Sequence, residues 1–246
     1  MVNRNRVLAV AMGCALGAAN LASAGILGGT ARFEGPPPPR RPLQMDADPK
    51  CAEIHGGKPV LSEEVLVDAA GGLANVFVHV ENPPAGTHAA PTEPVRLEQH
   101  GCLYTPRVQG ILVDQTLEIV NDDDTLHNVR ALAENNRPFN LGQPAATAPR
   151  VKTFKIAEPA LKFKCDVHPW MTAYLFVMEH PYFGVSAADG SFSIPGLAAG
   201  AYSVVAWHEK LGERKAQVTV GADGTGAVSF TFTSLDGAAT PGGHSQ

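Results

Sequence analysis

The sequence lacks the features of a nucleic-acid-binding protein or of a protein with several membrane spans. Its 19 basic residues are outnumbered by 24 acidic ones, and no stripe of Lys and Arg runs through it. Nucleic-acid binding depends on such a basic surface, so we expect no nucleic-acid partner. Beyond the first 24 residues, no segment is long and apolar enough to span a bilayer. No stretch has the apolar spacing of a long amphipathic helix.

Familiar catalytic patterns are also missing. The sequence shows no Ser-His-Asp order, no pattern of a paired-carboxylate cleft, no phosphate-binding glycine loop and no His-x-x-x-His or Glu-x-x-His pattern. We therefore expect that the protein is not an enzyme. His180 and His208 are interpreted as ordinary polar loop histidines. Three consecutive acidic residues at 122–124 are interpreted as a solvated turn rather than a calcium site.

The first 24 residues are typical of a secretory signal peptide. Arg4 and Arg6 give a positive start, residues 7–21 are apolar and small, and residues 22–24 (Ala-Ser-Ala) form an A-x-A cleavage site. Gly and Asn residues interrupt the apolar stretch, which argues against a permanent membrane span. We expect a periplasmic or secreted protein.

Short strand-like runs separated by turn residues fill most of the remaining chain. They alternate apolar and polar residues or are rich in Val, Ile and Phe. The runs are at 26–34, 65–67, 76–80, 95–99, 115–121, 151–156, 161–164, 174–178, 201–207, 218–220 and 228–232. Residues 40–59 and 135–150 are interpreted as irregular. The sequence therefore predicts an all-β fold.

One short run carries the most specific chemistry. Cys165, His168 and Met171 are spaced as Cys-x2-His-x2-Met, and His127 lies upstream in Leu-His-Asn-Val. Two imidazoles, one thiolate and a weak thioether are the ligand set of a blue-copper electron-transfer site. Zinc is a weaker alternative, because zinc prefers Cys, His and carboxylate ligands to Met.

The spacing has a structural reason. A tight loop between two strands can direct all three of its donors at one metal ion, and Pro169 stiffens the loop because its ring fixes φ. His127 must then come from the end of another strand. Asn128, the next residue, is placed to tie the two loops together by hydrogen bonds.

Residues 95–177 resemble a cupredoxin of the short-loop amicyanin or pseudoazurin type. The matching motifs are Leu-Glu-Ile-Val-Asn at 117–121, His-Asn-Val at 127–129, and residues 164–171. The resemblance implies a Greek-key sandwich that holds one type 1 copper ion. By motif match, the ligands are His127, Cys165, His168 and Met171.

A second resemblance concerns the C-terminal part. Residues 188–207 are similar to carboxypeptidase-regulatory-like modules, which are small transthyretin-type, Ig-like β-sandwiches. The opening strands of such a module are not evident after Met178, but residues 29–33 and 72–80 resemble them. We therefore predict a split domain, with the cupredoxin inserted into it. The alternative is three consecutive pieces.

The predicted domain boundaries follow from these two resemblances. After the signal peptide at 1–24, residues 25–93 contribute N-terminal strands to the transthyretin-like sandwich. Residues 94–180 form the cupredoxin domain and residues 181–233 complete the first sandwich. Residues 234–246 are rich in Gly, Ala and Ser and are predicted to be disordered.

Four cysteines are present, and one of them lies in the signal peptide. If Cys165 binds the metal, Cys51 and Cys102 remain, and an oxidising compartment would pair them as a disulfide. The alternative is a second metal site formed by these two cysteines with His55 or His100.

The leading hypothesis is an exported carrier of single electrons between redox partners. We expect a monomer whose partner is a redox protein such as a cytochrome or a dehydrogenase. His168 is the expected electron exit, and Pro169 and Trp170 are the expected docking residues, since transient redox interfaces are small. The alternatives are a periplasmic copper chaperone or storage protein, and a binding or structural module of the cell envelope.

Overall fold

The computed structural model describes residues 25–234. The predicted signal peptide and residues 235–246 of the predicted tail lie outside the described residues. In the part of the chain that is described, no helix combines the length and the apolar character required to cross a membrane.

Within these residues the chain folds into sixteen β-strands, one short α-helix and a 3-10 turn at Met45–Ala47. The prediction of an all-β fold is confirmed. The elements are β1 (Gly25–Glu34), α1 (Pro49–Ile54), β2 (Phe77–Val80), β3 (Val95–His100), β4 (Leu103–Thr105), β5 (Val108–Leu112), β6 (Thr116–Asn121), β7 (His127–Leu132), β8 (Phe139–Gln143), β9 (Arg150–Thr153), β10 (Glu158–Lys164), β11 (Thr172–Met178), β12 (Phe183–Val185), β13 (Ser191–Leu197), β14 (Gly200–His208), β15 (Gly212–Val220) and β16 (Thr225–Thr233).

Strands β3 to β11 form what we call the central sandwich. Its two sheets have the orders β5-β11-β10-β7-β8 and β4-β3-β6-β9. Strands β3 and β6 are parallel, as are β5 and β11, and the other pairs are antiparallel. Apolar side chains from both sheets meet in one core, which includes Leu97, Leu117, Ile119, Phe163 and Leu175.

Strands β1, β2 and β12 to β16 form what we call the flanking sandwich. Its sheets have the orders β13-β1-β16 and β12-β2-β14-β15. Strand β1 lies parallel to β16 from Ile26 beside Thr225 to Glu34 beside Thr233. The two N-terminal strands therefore complete sheets whose other members come from the C-terminal part. A separate apolar core fills the space between these sheets.

An apolar cluster and one ion pair join the two sandwiches. Phe77 of β2 stacks on Phe176 of β11 with ring centroids 3.8 Å apart. Arg107, just before β5, forms a bidentate ion pair with Glu209, just after β14. Both side chains of this pair are buried.

Four local predictions were wrong. His208, interpreted as a polar loop histidine, is the last residue of β14 and is buried. Residues 40–59 contain α1, whose N-cap Asp48 accepts a hydrogen bond from the Lys50 N–H at 2.9 Å. Residues 135–150 contain β8, which pairs with β7 although its sequence, Phe-Asn-Leu-Gly-Gln, has no β-branched residue. Residues 65–67 form no strand, because only Val67 makes a bridge, with Leu73.

Candidate metal centre

The loop between β10 and β11 brings three of the predicted ligands into one turn. Lys164 pairs with Thr172 at the end of the two antiparallel strands, so residues 165–171 form a closed connection. The Met171 N–H donates to the His168 carbonyl at 2.9 Å, and the His168 N–H donates to the Cys165 sulfur at 3.3 Å. These bonds fold the loop inward, and the side chains of all three residues are buried.

His127 comes from the start of β7, the neighbour of β10 in the same sheet. Its Nδ1 lies 2.8 Å from His168 Nδ1, and Cys165 Sγ lies 3.8 Å from the same His168 atom. One donor atom from each of these three residues lies within 4.8 Å of the others. Met171 is fully buried in the apolar cluster that also contains Cys165. The structure therefore brings the two histidines and the cysteine together, with Met171 packed in the adjoining core.

Each histidine bonds to a carboxylate on the ring edge that faces away from this cluster. His127 Nε2 is 2.8 Å from Asp123 Oδ2, and His168 Nε2 is 2.9 Å from Asp48 Oδ2. Neither carboxylate was predicted from the sequence as a partner of these histidines. The prediction of a solvated turn is wrong for Asp123, which is buried and accepts hydrogen bonds from the Gly101 and Cys102 N–H groups. Its neighbours Asp122 and Asp124 are exposed.

This arrangement determines which ring nitrogens carry hydrogen. An ionised carboxylate only accepts hydrogen bonds, so each Nε2 must be the donor. In the neutral rings, both Nδ1 atoms then present lone pairs to each other across 2.8 Å. Two such lone pairs repel unless a proton or a metal ion lies between them. The donor set therefore fits a cation at this position.

The ionisation of these groups agrees with that conclusion. Burial lowers the pKa of His127, but its bonds with Asp123 and Cys165 outweigh burial, and the pKa is raised overall. Burial raises the pKa of the Cys165 thiol, but hydrogen bonds with His127 and with the backbone of Asn128, His168 and Val167 together outweigh burial, so this pKa is lowered. The site therefore favours the Cys165 thiolate, the form of cysteine that binds metals, and a metal ion would displace any proton held by His127.

Asn128 ties the two ligand segments together, as expected. Its Oδ1 accepts from the Asp166 N–H at 2.7 Å and lies 3.3 Å from the Cys165 sulfur. Tyr104 OH donates to the Asn128 carbonyl. The end of β7 and the ligand loop are therefore held as one unit.

The surface predicted for docking is only partly open. His168 is 1% exposed. Trp170 donates its Nε1–H to the Cys102 carbonyl at 2.9 Å, and its ring centroid is 5.1 Å from that of His168. Pro169 is exposed. The outer edge of His168 is thus covered by Asp48, while Pro169 and part of Trp170 reach the surface beside it.

Cys51 and Cys102 form a disulfide, which uses both thiols. Neither His55 nor His100 joins them in a metal-binding group within the described residues. His55 instead bonds to the Gly101 carbonyl at 2.8 Å. The disulfide lies against the metal centre, because Cys51 Sγ is 3.6 Å from His168 Nε2.

Comparison with solved structures finds similarity over part of the chain. A copper-containing nitrite reductase from Thermus scotoductus SA-01 is 24% identical over 40% of this chain, with a TM-score of 0.34. A purple cupredoxin from Nitrosopumilus maritimus is 21% identical over 34% of this chain, with a TM-score of 0.29. An oxidised amicyanin variant is 21% identical over 35% of this chain, with a TM-score of 0.30.

The matched share of these proteins differs. The match spans 26% of the nitrite reductase, but 98% of the purple cupredoxin and 82% of the amicyanin variant. No protein-family model and no curated protein sequence matches the chain.

Proposed function

We propose that the protein is an exported, mononuclear type 1 copper protein that transfers single electrons between redox partners. The observation that carries this proposal is the pair of Nδ1 atoms, which face each other 2.8 Å apart beside the Cys165 sulfur. His127, Cys165 and His168 would hold the ion, with Met171 as a weak fourth ligand. Soft sulfur together with imidazole suits both oxidation states of copper.

Bound copper would supply one-electron chemistry by cycling between its two common oxidation states. The protein's own contribution is rigidity. Carboxylates fix both imidazole rings, Asn128 fixes the cysteine loop, and the donors are buried from water. Electron transfer is fastest when ligands do not have to rearrange, and these hydrogen bonds oppose rearrangement.

The burial of the centre favours retention of the ion over exchange. A chaperone must pass its ion to another protein, and therefore needs a ligand that a partner can reach. His127 is fully buried and His168 is 1% exposed. This supports an electron carrier over the copper chaperone or storage protein.

The setting of the protein and its partner are part of the proposal. A disulfide and a signal-like N-terminus suit the periplasm or the extracellular space. A cytochrome or a dehydrogenase would dock at Pro169 and Trp170, the surface residues beside His168. We also propose that the central sandwich is a domain inserted into the flanking sandwich, because β1 and β2 pair with strands β12 to β16.

The test is an anaerobic copper titration of the purified protein, followed by optical and electron paramagnetic resonance spectra. One equivalent of copper should give an intense visible band from thiolate-to-copper charge transfer, together with reversible reduction and reoxidation. Cys165→Ser should abolish the band. His180→Asn, which changes a histidine outside the centre, should keep it. A copper-loaded protein without the visible band would refute the proposal.

A further inference from the structure

A carboxylate from the N-terminal part of the chain closes the outer edge of the His168 ring. Asp48 Oδ2 lies 2.9 Å from His168 Nε2 and also accepts from the Thr125 hydroxyl at 3.3 Å. The other oxygen, Oδ1, accepts from the Lys50 N–H as the cap of α1. Both oxygens are therefore engaged, and the orientation of the carboxylate is fixed from two sides.

The segment that carries Asp48 is fastened to the central sandwich. We call residues 45–55 the N-terminal cap; they comprise the 3-10 turn and α1. The disulfide joins Cys51 of the cap to Cys102, directly before β4. His55 bonds to the Gly101 carbonyl, and Met45 is buried in the cluster that contains the disulfide. The cap thus has a covalent anchor three residues from the carboxylate.

The centre therefore has two matching carboxylate contacts from different parts of the chain. Asp123 belongs to the same loop as His127, only four residues before it. Asp48 is 120 residues from His168 and reaches it only because the cap is folded over the loop. Cys51 of the cap also lies 3.6 Å from His168 Nε2, so the cap contacts this nitrogen through two residues.

We propose that Asp48 is a positioning residue of the metal centre and that the disulfide-anchored cap holds it in place. The carboxylate keeps Nε2–H on the outer edge of His168 and leaves Nδ1 for the metal ion. Its negative charge favours the more positive oxidation state of bound copper. This inference rests on the proposed function for its copper readouts only, because the ring orientation is a property of the metal-free protein.

Two substitutions separate the roles of Asp48. Asp48→Ser keeps a side chain that caps helices well but is too short to reach His168. Asp48→Asn keeps a side chain that caps helices well, removes the negative charge and leaves one acceptor oxygen, with an amide donor in place of the other. Asp46→Ser changes an exposed acidic residue of the N-terminal cap and is the matched control.

The first readout uses metal-free protein. Nitrogen-15 NMR of the histidine rings distinguishes hydrogen on Nε2 from hydrogen on Nδ1. The wild type and Asp46→Ser should carry hydrogen on His168 Nε2. Asp48→Ser should give a mixture of the two forms, because the acceptor that selects one of them is gone.

The second readout uses the copper-loaded protein. Asp48→Ser should weaken copper binding by about 10- to 100-fold in a competition with a chelator, the usual effect of removing a partner that orients a ligand. Asp48→Ser and Asp48→Asn should both raise the reduction potential, because each removes the negative charge. A residue that merely supported the cap would change neither the ring tautomer nor the potential.

The anchor is tested with the double variant Cys51→Ser, Cys102→Ser. Copper transfer to an excess of chelator should be at least about tenfold faster than in the wild type, because loss of a ligand's support typically costs about 10- to 100-fold in metal affinity. Backbone hydrogen exchange in residues 45–55 should rise with it. Equal transfer rates in the two proteins would contradict the role of the anchor.

The two proposals fail in distinguishable ways. If the wild type shows the visible band, but Asp48→Ser keeps hydrogen on His168 Nε2 and binds copper as the wild type does, the positioning role is refuted alone. If the wild type lacks the band while the tautomer changes in Asp48→Ser, the electron-transfer proposal is refuted and the positioning role stands.

Discussion

The two sandwiches are built from similar strands but differ in what they bury. Among the described residues, ten of the twelve buried polar side chains belong to the central sandwich and its loops. The flanking sandwich contributes only Ser186 and His208 to that group. Its core is otherwise apolar, with Phe230 and Phe232 of β16 facing residues such as Leu27 and Val204.

The difference in buried polar side chains indicates different roles: the flanking sandwich gives support, and the central sandwich carries the chemistry. A buried polar side chain costs free energy unless its hydrogen bonds are satisfied, so a network of them defines one arrangement of its members. Gln99 donates to Gln143 and to the Val120 carbonyl, and Asn121 donates to the Gln143 carbonyl. These bonds stiffen the strands and loops that lead to His127. We infer that the flanking sandwich stabilises the molecule while the central sandwich holds the centre.

The largest expected effect comes from opening a cavity in either core. Phe163 and Phe232 are both fully buried, one in each sandwich. Phe→Ala in a core costs about 3–5 kcal/mol of unfolding free energy. Both variants should lose that much stability in denaturant unfolding. Only Phe163→Ala should also weaken the visible band of the copper-loaded protein, because Phe163 lies two residues before Cys165 on β10.

This comparison fails if Phe232→Ala, in folded copper-loaded protein, disturbs the visible band as strongly as Phe163→Ala. The centre would then depend equally on both sandwiches. Circular dichroism of both variants before denaturation is the control for folding.

The ion pair between the sandwiches should matter nearly as much. Arg107 and Glu209 have side chains that are 9% and 4% exposed. Removing one partner of a buried pair costs about 3–5 kcal/mol, because the other charge stays buried without compensation. We expect Glu209→Ala to lower the free energy of unfolding by that amount. Its measurement is denaturant unfolding followed by circular dichroism.

The control for this pair is the double variant Arg107→Met, Glu209→Leu, which replaces both charges by apolar groups. Such replacements are often neutral or stabilising. It should recover most of the stability lost in Glu209→Ala. No recovery would mean that the loss came from packing rather than from the unpaired charge.

Two buried histidines, one in each sandwich, have pKa shifts of opposite sign. Burial, with the positive charges of Arg107 and Lys210, lowers the pKa of His208 to about 4, whereas that of His127 is raised. Because unfolded His208 regains its ordinary pKa, the unfolded chain binds more protons between pH 6.5 and 4. The contribution of His208 to the free energy of unfolding should therefore decrease as pH falls through that window, by at most about 3 kcal/mol.

The measurement is the free energy of unfolding at pH 7 and at pH 4 for wild type and His208→Gln. The variant loses some packing at both values, so the comparison concerns the change with pH. Between pH 7 and pH 4, the free energy of unfolding of His208→Gln should decrease less than that of the wild type. An equal loss in both proteins would exclude His208 as a source of acid sensitivity.

The sequence could predict the parts of the centre that lie close together in the chain. The spacing of Cys165, His168 and Met171 identifies one loop, and His127 and Asn128 follow a strand that alternates. These signals are local. In a sheet, the loop that joins two adjacent strands lies beside the end of the next strand. The convergence of His127, Cys165 and His168 could therefore be expected from the sequence.

Asp48 could not be predicted in the same way. It lies in a segment without periodicity, and its contact with His168 depends on long-range folding of the cap. The cysteine count did predict the disulfide that anchors this cap, but not that Asp48 would face an imidazole. Strand β8 was missed for a related reason: its residues have weak strand preference, and β7 supplies the hydrogen bonds that define it. Tertiary contacts overrode local preference in both places.

The smallest expected effect concerns the contact between the sandwiches at a glycine. Gly110 of β5 faces Phe183 of β12, and a Cβ on Gly110 would lie 2.4 Å from a ring carbon of Phe183. The ring belongs to the packed cluster at the junction, so it cannot move away freely. We expect Gly110→Ala to lower the free energy of unfolding by about 1–3 kcal/mol, as overpacking does.

Gly142 of β8 provides the matched control in the same sheet. A Cβ there would meet no atom within 4 Å. Because alanine restricts the unfolded chain more than glycine does, Gly142→Ala should leave stability unchanged or raise it by about 0.4–1 kcal/mol. Denaturant unfolding of the two variants measures the difference. Equal stability in both would mean that the sandwiches can separate enough at β5 and β12 to admit a methyl group, and that their junction is looser than the stacked Phe77 and Phe176 rings indicate.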